Sequence, residues 1–278
     1  DDDGSGGNAP NFAVTYTEND GAVTIVDADA VIADSDDTNI ESMTITITNV
    51  VSGDILDANV GATGLTKSWT AGTGTLTLTG TASVADYQSV LRTVSFASTS
   101  DAPTGVARTV TFVANDGDSD SAVATATVNV QNVNDNPSIT VPGAQAVNED
   151  ASLTFSSAGG NAISIADVDA ASSDVTVTLG VTNGTLTMAD ITGLTSAVGD
   201  GTAMVVLTGT VTAINTALGA GVVYAPTGDW NGAETLTATV NDGGATGSGG
   251  GGDISDTVAI TVNAVNDDPA ITVPAAQS

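Results

Sequence analysis

Apolar and polar residues alternate with a period of two through much of this chain. Met43-Thr44-Ile45-Thr46-Ile47-Thr48 places aliphatic side chains on one face and threonines on the other. The same pattern recurs in Leu76-Thr77-Leu78-Thr79, in Val175-Thr176-Val177-Thr178-Leu179 and in Val258-Ala259-Ile260-Thr261-Val262. A two-residue period is the mark of half-buried antiparallel strands, and Val, Ile and Thr suit a pleated surface. Asn115-Asp116-Gly117, Asn183-Gly184 and Asn241-Asp242-Gly243 supply turn signals between such runs. Many short strands at this spacing predict an all-β sandwich architecture.

Two stretches break the period. Val84 to Leu91 and Val211 to Leu218 carry apolar residues at helical spacing. Each follows a Leu-Thr-Gly-Thr, at 78–81 and 207–210, and each precedes a strand containing Phe96 or Tyr224. These predict a short helical crossover in each half, with its apolar residues in the core. Trp69 and Trp230 are expected to be packing anchors or edge residues, beside a core built from Val, Ile, Leu and Ala. The Gly-rich run from Gly243 to Gly252 is expected to be a flexible loop tip. It departs from a glycine-aspartate nonapeptide calcium repeat because Asp253 stands one position off and the run occurs once.

The chain also repeats itself. Asn132-Val133-Asn134-Asp135-Asn136-Pro137 returns as Ala264-Val265-Asn266-Asp267-Asp268-Pro269, and nearly the same peptide follows each. Pro10, Pro137 and Pro269 stand 127 and 132 residues apart, so each unit has the size of one domain. The expected organisation is an acidic, Gly-containing linker over 1–7, a repeat over 8–134, a second over 135–266, and the linker and first strand of a third over 267–278.

Charge sharpens the reading. Thirty-three acidic residues against three basic ones leave a formal charge of −30. Nucleic-acid binding and attraction to an anionic membrane both need clustered Lys and Arg, so neither is expected. The like charges repel in the compact state, and bound cations would remove that penalty. No Cys or His is present, which excludes a soft-metal site, a thiol nucleophile and a His-based triad. No run of apolar residues is long enough to span a bilayer as a helix.

The acids are grouped, and four elements occur in the same order in both repeats. The first is an acid after the opening strand, Glu18 or Glu149. The second is Asp-x-Asp, Asp34-Ser35-Asp36 or Asp167-Val168-Asp169. The third is the acid of the Asn-Asp-Gly turn, Asp116 or Asp242. The fourth is the linker, Asn134-Asp135-Asn136 or Asn266-Asp267-Asp268. Calcium takes six to eight oxygens from carboxylates, amides and backbone, which is what these elements offer. An Asp-x-Asp in an extended loop can bring both carboxylates to one ion, and the proline after the linker fixes φ at the next strand. An EF-hand is excluded because no Asp-x-Asp-x-Asx-Gly loop is followed by a correctly placed Glu. A turn preference of Asp and Asn is the competing reading of any single element.

The order Glu, Asp-x-Asp, Ala114-Asn115-Asp116-Gly117, then Asn132-Val133-Asn134-Asp135-Asn136-Pro137 resembles a cadherin repeat. The crossover stretch is more similar to the cadherin-like repeats of giant bacterial surface proteins, which also resemble chondroitin sulfate proteoglycan repeats. The resemblance covers residues 8–278. It implies Ig-like, Greek-key β-sandwiches joined end to end, with Ca2+ at the junctions. Carried over, it assigns Glu18, Asn134, Asp135, Asn136, Asp167, Asp169 and Asp242 to a central junction. Glu149, Asn266, Asp267 and Asp268 fall to a C-terminal one. Asp34, Asp36 and Asp116 fall to an N-terminal one, with Asp1 to Asp3 as a weak substitute for a preceding linker. Cadherins carry a further acid pair before their penultimate strand; the nearest match is Asp86-Tyr87, and the second repeat has Ile214-Asn215 instead.

The expected function is a calcium-rigidified, non-catalytic spacer of a long bacterial surface adhesin or fibre, outside the cell. Its expected partners are neighbouring repeats of the same chain or other copies. A carbohydrate- or protein-binding module and a self-assembling filament subunit are the alternatives, and paired carboxylates at the ends of repeats do not suggest a glycosidase cleft.

Overall fold

A computed structural model of the chain describes residues 11–170, 172–244, 247–269 and 271. Asp1 to Asp3 and most of 267–278, the segment expected to open a third repeat, lie outside the described residues. The chain divides into two compact units between Val133 and Asn134.

The first unit runs β1 (Asn11–Thr17), β2 (Val23–Thr24), β3 (Asn39–Ile47), β4 (Asp54–Asp57), β5 (Thr66–Thr70), β6 (Thr75–Ser83), α1 (Val84–Leu91), β7 (Ser95–Ser98), β8 (Arg108–Asn115) and β9 (Ala124–Gln131). A six-stranded sheet of order β1-β9-β8-β3-β6-β5 faces a three-stranded sheet of order β2-β7-β4. The orders β9-β8-β3 and β2-β7-β4 are the G-F-C and B-E-D orders of an immunoglobulin-like sandwich. The alternation read from sequence decides which face is buried. Ile45, Leu76, Val110 and Val128 of the larger sheet meet Leu56 and Phe96 of the smaller one and Ile25 just after β2, while Thr44, Thr77 and Thr109 remain outside. Tyr16 packs edge-on against Phe96, with ring centroids 5.2 Å apart.

The crossover stretch is helical, as its spacing predicts. Ser83 caps α1 by accepting from the Asp86 amide at 3.1 Å, and its hydroxyl donates to the Asp86 carboxylate at 2.6 Å. Tyr87, Val90 and Leu91 enter the core. Burial, and then the Glu41 charge, push the Tyr87 pKa up to about 12. The hydroxyl donates to the Gly80 carbonyl at 2.8 Å.

The second unit repeats the plan with β10 (Ser138–Thr140), β11 (Gln145–Asn148), β12 (Leu153–Phe155), β13 (Ser164–Ala166), β14 (Asp174–Gly180), β15 (Thr185–Met188), β16 (Ser196–Val198), β17 (Met204–Thr210), α2 (Val211–Ala220), β18 (Val222–Ala225), β19 (Gly232–Asn241) and β20 (Ile254–Asn263). Its large sheet is β11-β20-β19-β14-β17-β16 and its small sheet is β12-β18-β15. In both units the first strand of the large sheet pairs in parallel with the last strand of the unit. Asn183-Gly184 forms the turn into β15; Gly184 has φ +133°, and a Cβ there would overlap the Ala225 carbonyl. Trp69 and Trp230 are partly buried, each against its own unit's core. Among the described residues no helix is long and apolar enough to cross a membrane.

All three basic residues are engaged within the first unit. Lys67 pairs with Asp57 at 2.5 Å, Arg92 donates to the Ala30 carbonyl, and Arg108 is fully buried against Asp54.

Candidate cation site

The acidic end of the second unit is assembled from three segments. β13 leads into the Asp167-Val168-Asp169 loop, whose entry is held by the helix. Asn215 of α2 accepts from the Ile165 amide at 2.9 Å and donates to the Ile165 carbonyl at 2.8 Å. The first unit uses Gln88 of α1 for the same task, accepting from the Ile32 amide at 3.1 Å. Asp167 then turns the chain. Its Oδ1 accepts from the amides of Asp169 and Ala170, at 3.2 and 2.9 Å.

The linker folds onto this loop. The Asp135 amide donates to Asp169 Oδ2 at 3.2 Å, and Asn134 Nδ2 donates to Asp242 Oδ2 at 2.7 Å. Asn136 and Asp167 line one cleft with Ser138, Ala166 and Val168. Five predicted ligands, Asn134, Asp135, Asp167, Asp169 and Asp242, are thereby linked by hydrogen bonds, and Asn136 adjoins them.

Three oxygens of this group are buried with no hydrogen-bond donor: Asp135 Oδ2, Asp167 Oδ2 and Asp169 Oδ1. Asp169 as a whole is only 7% exposed. Burial, and then the adjacent Asp169 carboxylate, push the Asp167 pKa up; amides from Ala170 and Asp169 oppose the shift. A buried anionic oxygen without a donor is costly, and a hard cation meets the demand of several at once. The donor set is all oxygen, with no Cys or His in the chain, and so fits calcium. Asp135, Asp167 and Asp169 would hold the ion directly.

Glu18 lies in the first unit. It is 2% exposed, and its Oε2 accepts from the Val133 amide at 2.9 Å. Glu149 has the matching place in the second unit. It accepts from the Val265 amide at 2.7 Å and from Asn231 Nδ2 at 3.1 Å, and these bonds, Val265 first, lower its pKa. Each post-strand acid therefore fastens the residue just before the Asn-Asp element.

At the C-terminal element Asp267 is exposed, and Asn266 Nδ2 donates to the Asp267 carbonyl. Asp268 is exposed. Asp150, Asp229 and Asp267 each bring a carboxylate oxygen within 4.8 Å of the others. Asp150, then Asp229, push the Asp267 pKa up by like-charge repulsion. Asp150 and Asp229 were absent from the sequence assignment. The penultimate strand of the second unit is β19, and Asp229 stands three residues before it in a turn at φ +61°. Asp86 instead accepts from the Ser83 hydroxyl at the start of α1, and Asn215 clamps Ile165. The available signal was the turn sequence Gly228-Asp229-Trp230-Asn231-Gly232.

In the first unit Asp34, Asp36 and Asp116 line one cleft with Asp120. Asp34 accepts from the amides of Asp36 and Asp37, and Asp116 from those of Asp118 and Ser119. These bonds lower both pKa values, through Asp37 first for Asp34 and Ser119 first for Asp116.

No protein-family model matches the chain, and no curated protein does. Among solved structures, it is similar to extracellular cadherin domains 1–5 of protocadherin gamma B2, with 14% identity and a TM-score of 0.39 over 92% of this chain and 38% of that one. It is similar to mouse cadherin-23 EC22–24, with 17% identity and a TM-score of 0.33 over 95% of this chain and 67% of that one. It is also similar to the C-terminal domain of the Streptococcus agalactiae AgI/II polypeptide BspA, with 7% identity and a TM-score of 0.25 over 80% and 85% of the two chains. The chain thus spans about two fifths of the protocadherin structure. With all three TM-scores below 0.5, the fold assignment rests on strand order and not on these likenesses.

Proposed function

We propose that the chain is a pair of calcium-binding structural repeats from a long extracellular adhesion protein of the bacterial surface kind. The observation that carries this reading is the set of three buried, donor-free carboxylate oxygens on Asp135, Asp167 and Asp169. Two of them lie on the Asp-x-Asp loop and one on the segment that leads out of the first repeat. An ion held by all three ties that segment to the second sandwich and stiffens the connection. Asn134, Asn136 and Asp242 complete the surroundings of this ion. Glu18 contributes by fastening Val133. Glu149, Asn266, Asp267 and Asp268, with Asp150 and Asp229, form the same device for a following repeat. Asp34, Asp36 and Asp116 form it for a preceding one.

The role is non-catalytic, with neighbouring repeats or other copies of the chain as partners. Affinity is expected at about 10⁻⁴–10⁻³ M, the range of extracellular calcium modules. Such sites fill outside cells. The test is thermal unfolding followed by tryptophan fluorescence in millimolar calcium and again in chelator. Each repeat holds one tryptophan, so Trp230 reports the second unit once Trp69 is replaced by Phe. Calcium should raise the second unit's midpoint, since a ligand bound only to the native state stabilises it. Superimposable curves would rule out the proposed site.

A further inference from the structure

The second unit differs from the first in the loop between its last two strands. In the first unit Asn115 to Ser121 close a short turn, with Asn115 Nδ2 donating to Asp120 and the Ser121 amide returning to the Ala114 carbonyl at 2.8 Å. In the second unit the equivalent loop is longer and rich in glycine. Its described residues double back onto the linker and Asp242. The Ser248 carbonyl accepts from the Asn134 amide at 3.0 Å. Gly249 approaches the Asn134 Cβ, and Gly252 lies near Asn136 Oδ1, at 3.9 and 3.7 Å from where their own Cβ atoms would be. Gly251 lies against the Asp242 carboxylate, so that a Cβ there would overlap both Asp242 Oδ1 and the Gly244 amide nitrogen. Asp242 is 4% exposed as a result, whereas its counterpart Asp116 remains partly open.

We propose that Ser248 to Gly251 form a clasp that positions Asn134 and Asp242 around the second unit's cation site and thereby sets its affinity for a divalent cation. This rests on the calcium reading above. The site has its own mark of a ligand in the donor-free Asp169 Oδ1 of a side chain more than nine-tenths buried. The clasp holds the linker backbone through the Ser248 carbonyl and packs main chain, with no side chain between, against a carboxylate that Asn134 also grips. Glycine at 251 is a steric requirement, because a Cβ would overlap Asp242 Oδ1 and the Gly244 amide nitrogen, while its φ lies outside the left-handed region that favours glycine. Gly250, next to it, has nothing within 4 Å of its would-be Cβ and no such φ, so it serves as a matched control.

The test compares the whole chain with Gly251→Ala and Gly250→Ala by calcium titration calorimetry and by amide hydrogen exchange in chelator. Gly251→Ala should weaken calcium binding about 10–100-fold, as loss of an outer support does, while Gly250→Ala leaves it unchanged. Exchange at the Asn134 amide should quicken in Gly251→Ala only. In an Asp242→Ala background the same substitution should add less, because the carboxylate it would strike is gone and only the overlap with the Gly244 amide remains. Unchanged affinity and unchanged Asn134 exchange in Gly251→Ala would overturn the clasp while leaving the calcium site standing. Equal losses in both glycine variants would overturn it too, since loop flexibility would then be the cause. Absence of calcium binding in the wild-type chain would remove the calcium reading itself, and the clasp with it.

Discussion

Seven residues before the Asn of the Asn-Asp-Gly turn, the first unit buries Arg108 and the second buries Glu234. The strands, partners and inward face are the same: Arg108 stands opposite Val128 on β9, and Glu234 opposite Ile260 on β20. The two charges are satisfied in unlike ways. Arg108 makes a two-pronged pair with Asp54, Nε to Oδ2 at 2.7 Å and Nη2 to Oδ1 at 3.3 Å, and its Nη1 donates to the Thr104 and Val106 carbonyls. Among the described residues Glu234 has no cationic partner, and it takes backbone amides instead, from Thr182, Asn183 and Thr235. Its charge also raises the Tyr224 pKa to about 12, second to burial, and the Tyr224 hydroxyl donates to the Asn183 carbonyl at 2.6 Å. The sandwich therefore demands a satisfied polar group at this position but does not dictate its sign. Alternation specifies the strands, and each repeat completes its own buried polar network.

The sharpest way to break this comparison is to remove one charge at a time. Arg108→Met leaves Asp54 buried and unpaired, and should cost the first unit about 3–5 kcal/mol. Trp69 fluorescence during denaturant unfolding measures it, with the second unit's transition unmoved. Asp54→Leu in the Arg108→Met background should recover much of the loss, because a well-packed apolar pair can replace a buried ion pair. Glu234→Gln exchanges one acceptor oxygen for a donor facing backbone N–H groups. It should destabilise the second unit by about 1–3 kcal/mol, read from Trp230. The helix caps give the smallest contrast. Ser83→Ala and Thr210→Ala should each cost about 1 kcal/mol, the typical value for losing an N-cap side chain. Ser83 should cost the more, since its hydroxyl also bonds the Asp86 carboxylate while Thr210 accepts only from the Ala213 amide.

Much of the architecture was legible because it is local. Thr-aliphatic alternation places Ile45 and Val177 inside and Thr44 and Thr176 toward solvent, and helical spacing marks Val84 to Leu91 and Val211 to Leu218. The polar network was not legible because its partners are remote in the chain. Nothing near Arg108 points to Asp54, and nothing near Glu234 points to Thr182. The Asp-x-Asp loop and the linker could be read as oxygen donors from their spacing. Asp229 was less legible, because its turn sequence shows a turn but not the remote Asp150 and Asp267 that the fold brings beside it. The Gly-rich loop reads as a free tip by composition. Its contacts with Asn134, more than a hundred residues upstream, appear only once the fold brings them together.

The most direct measurement is a crystal structure grown in calcium, with anomalous scattering used to locate the ion. A peak about 2.3–2.6 Å from Asp135 Oδ2, Asp167 Oδ2 and Asp169 Oδ1, the distance range of calcium–oxygen ligation, is the predicted result. Those three oxygens found hydrogen-bonded to water, with no anomalous peak at saturating calcium, would contradict it.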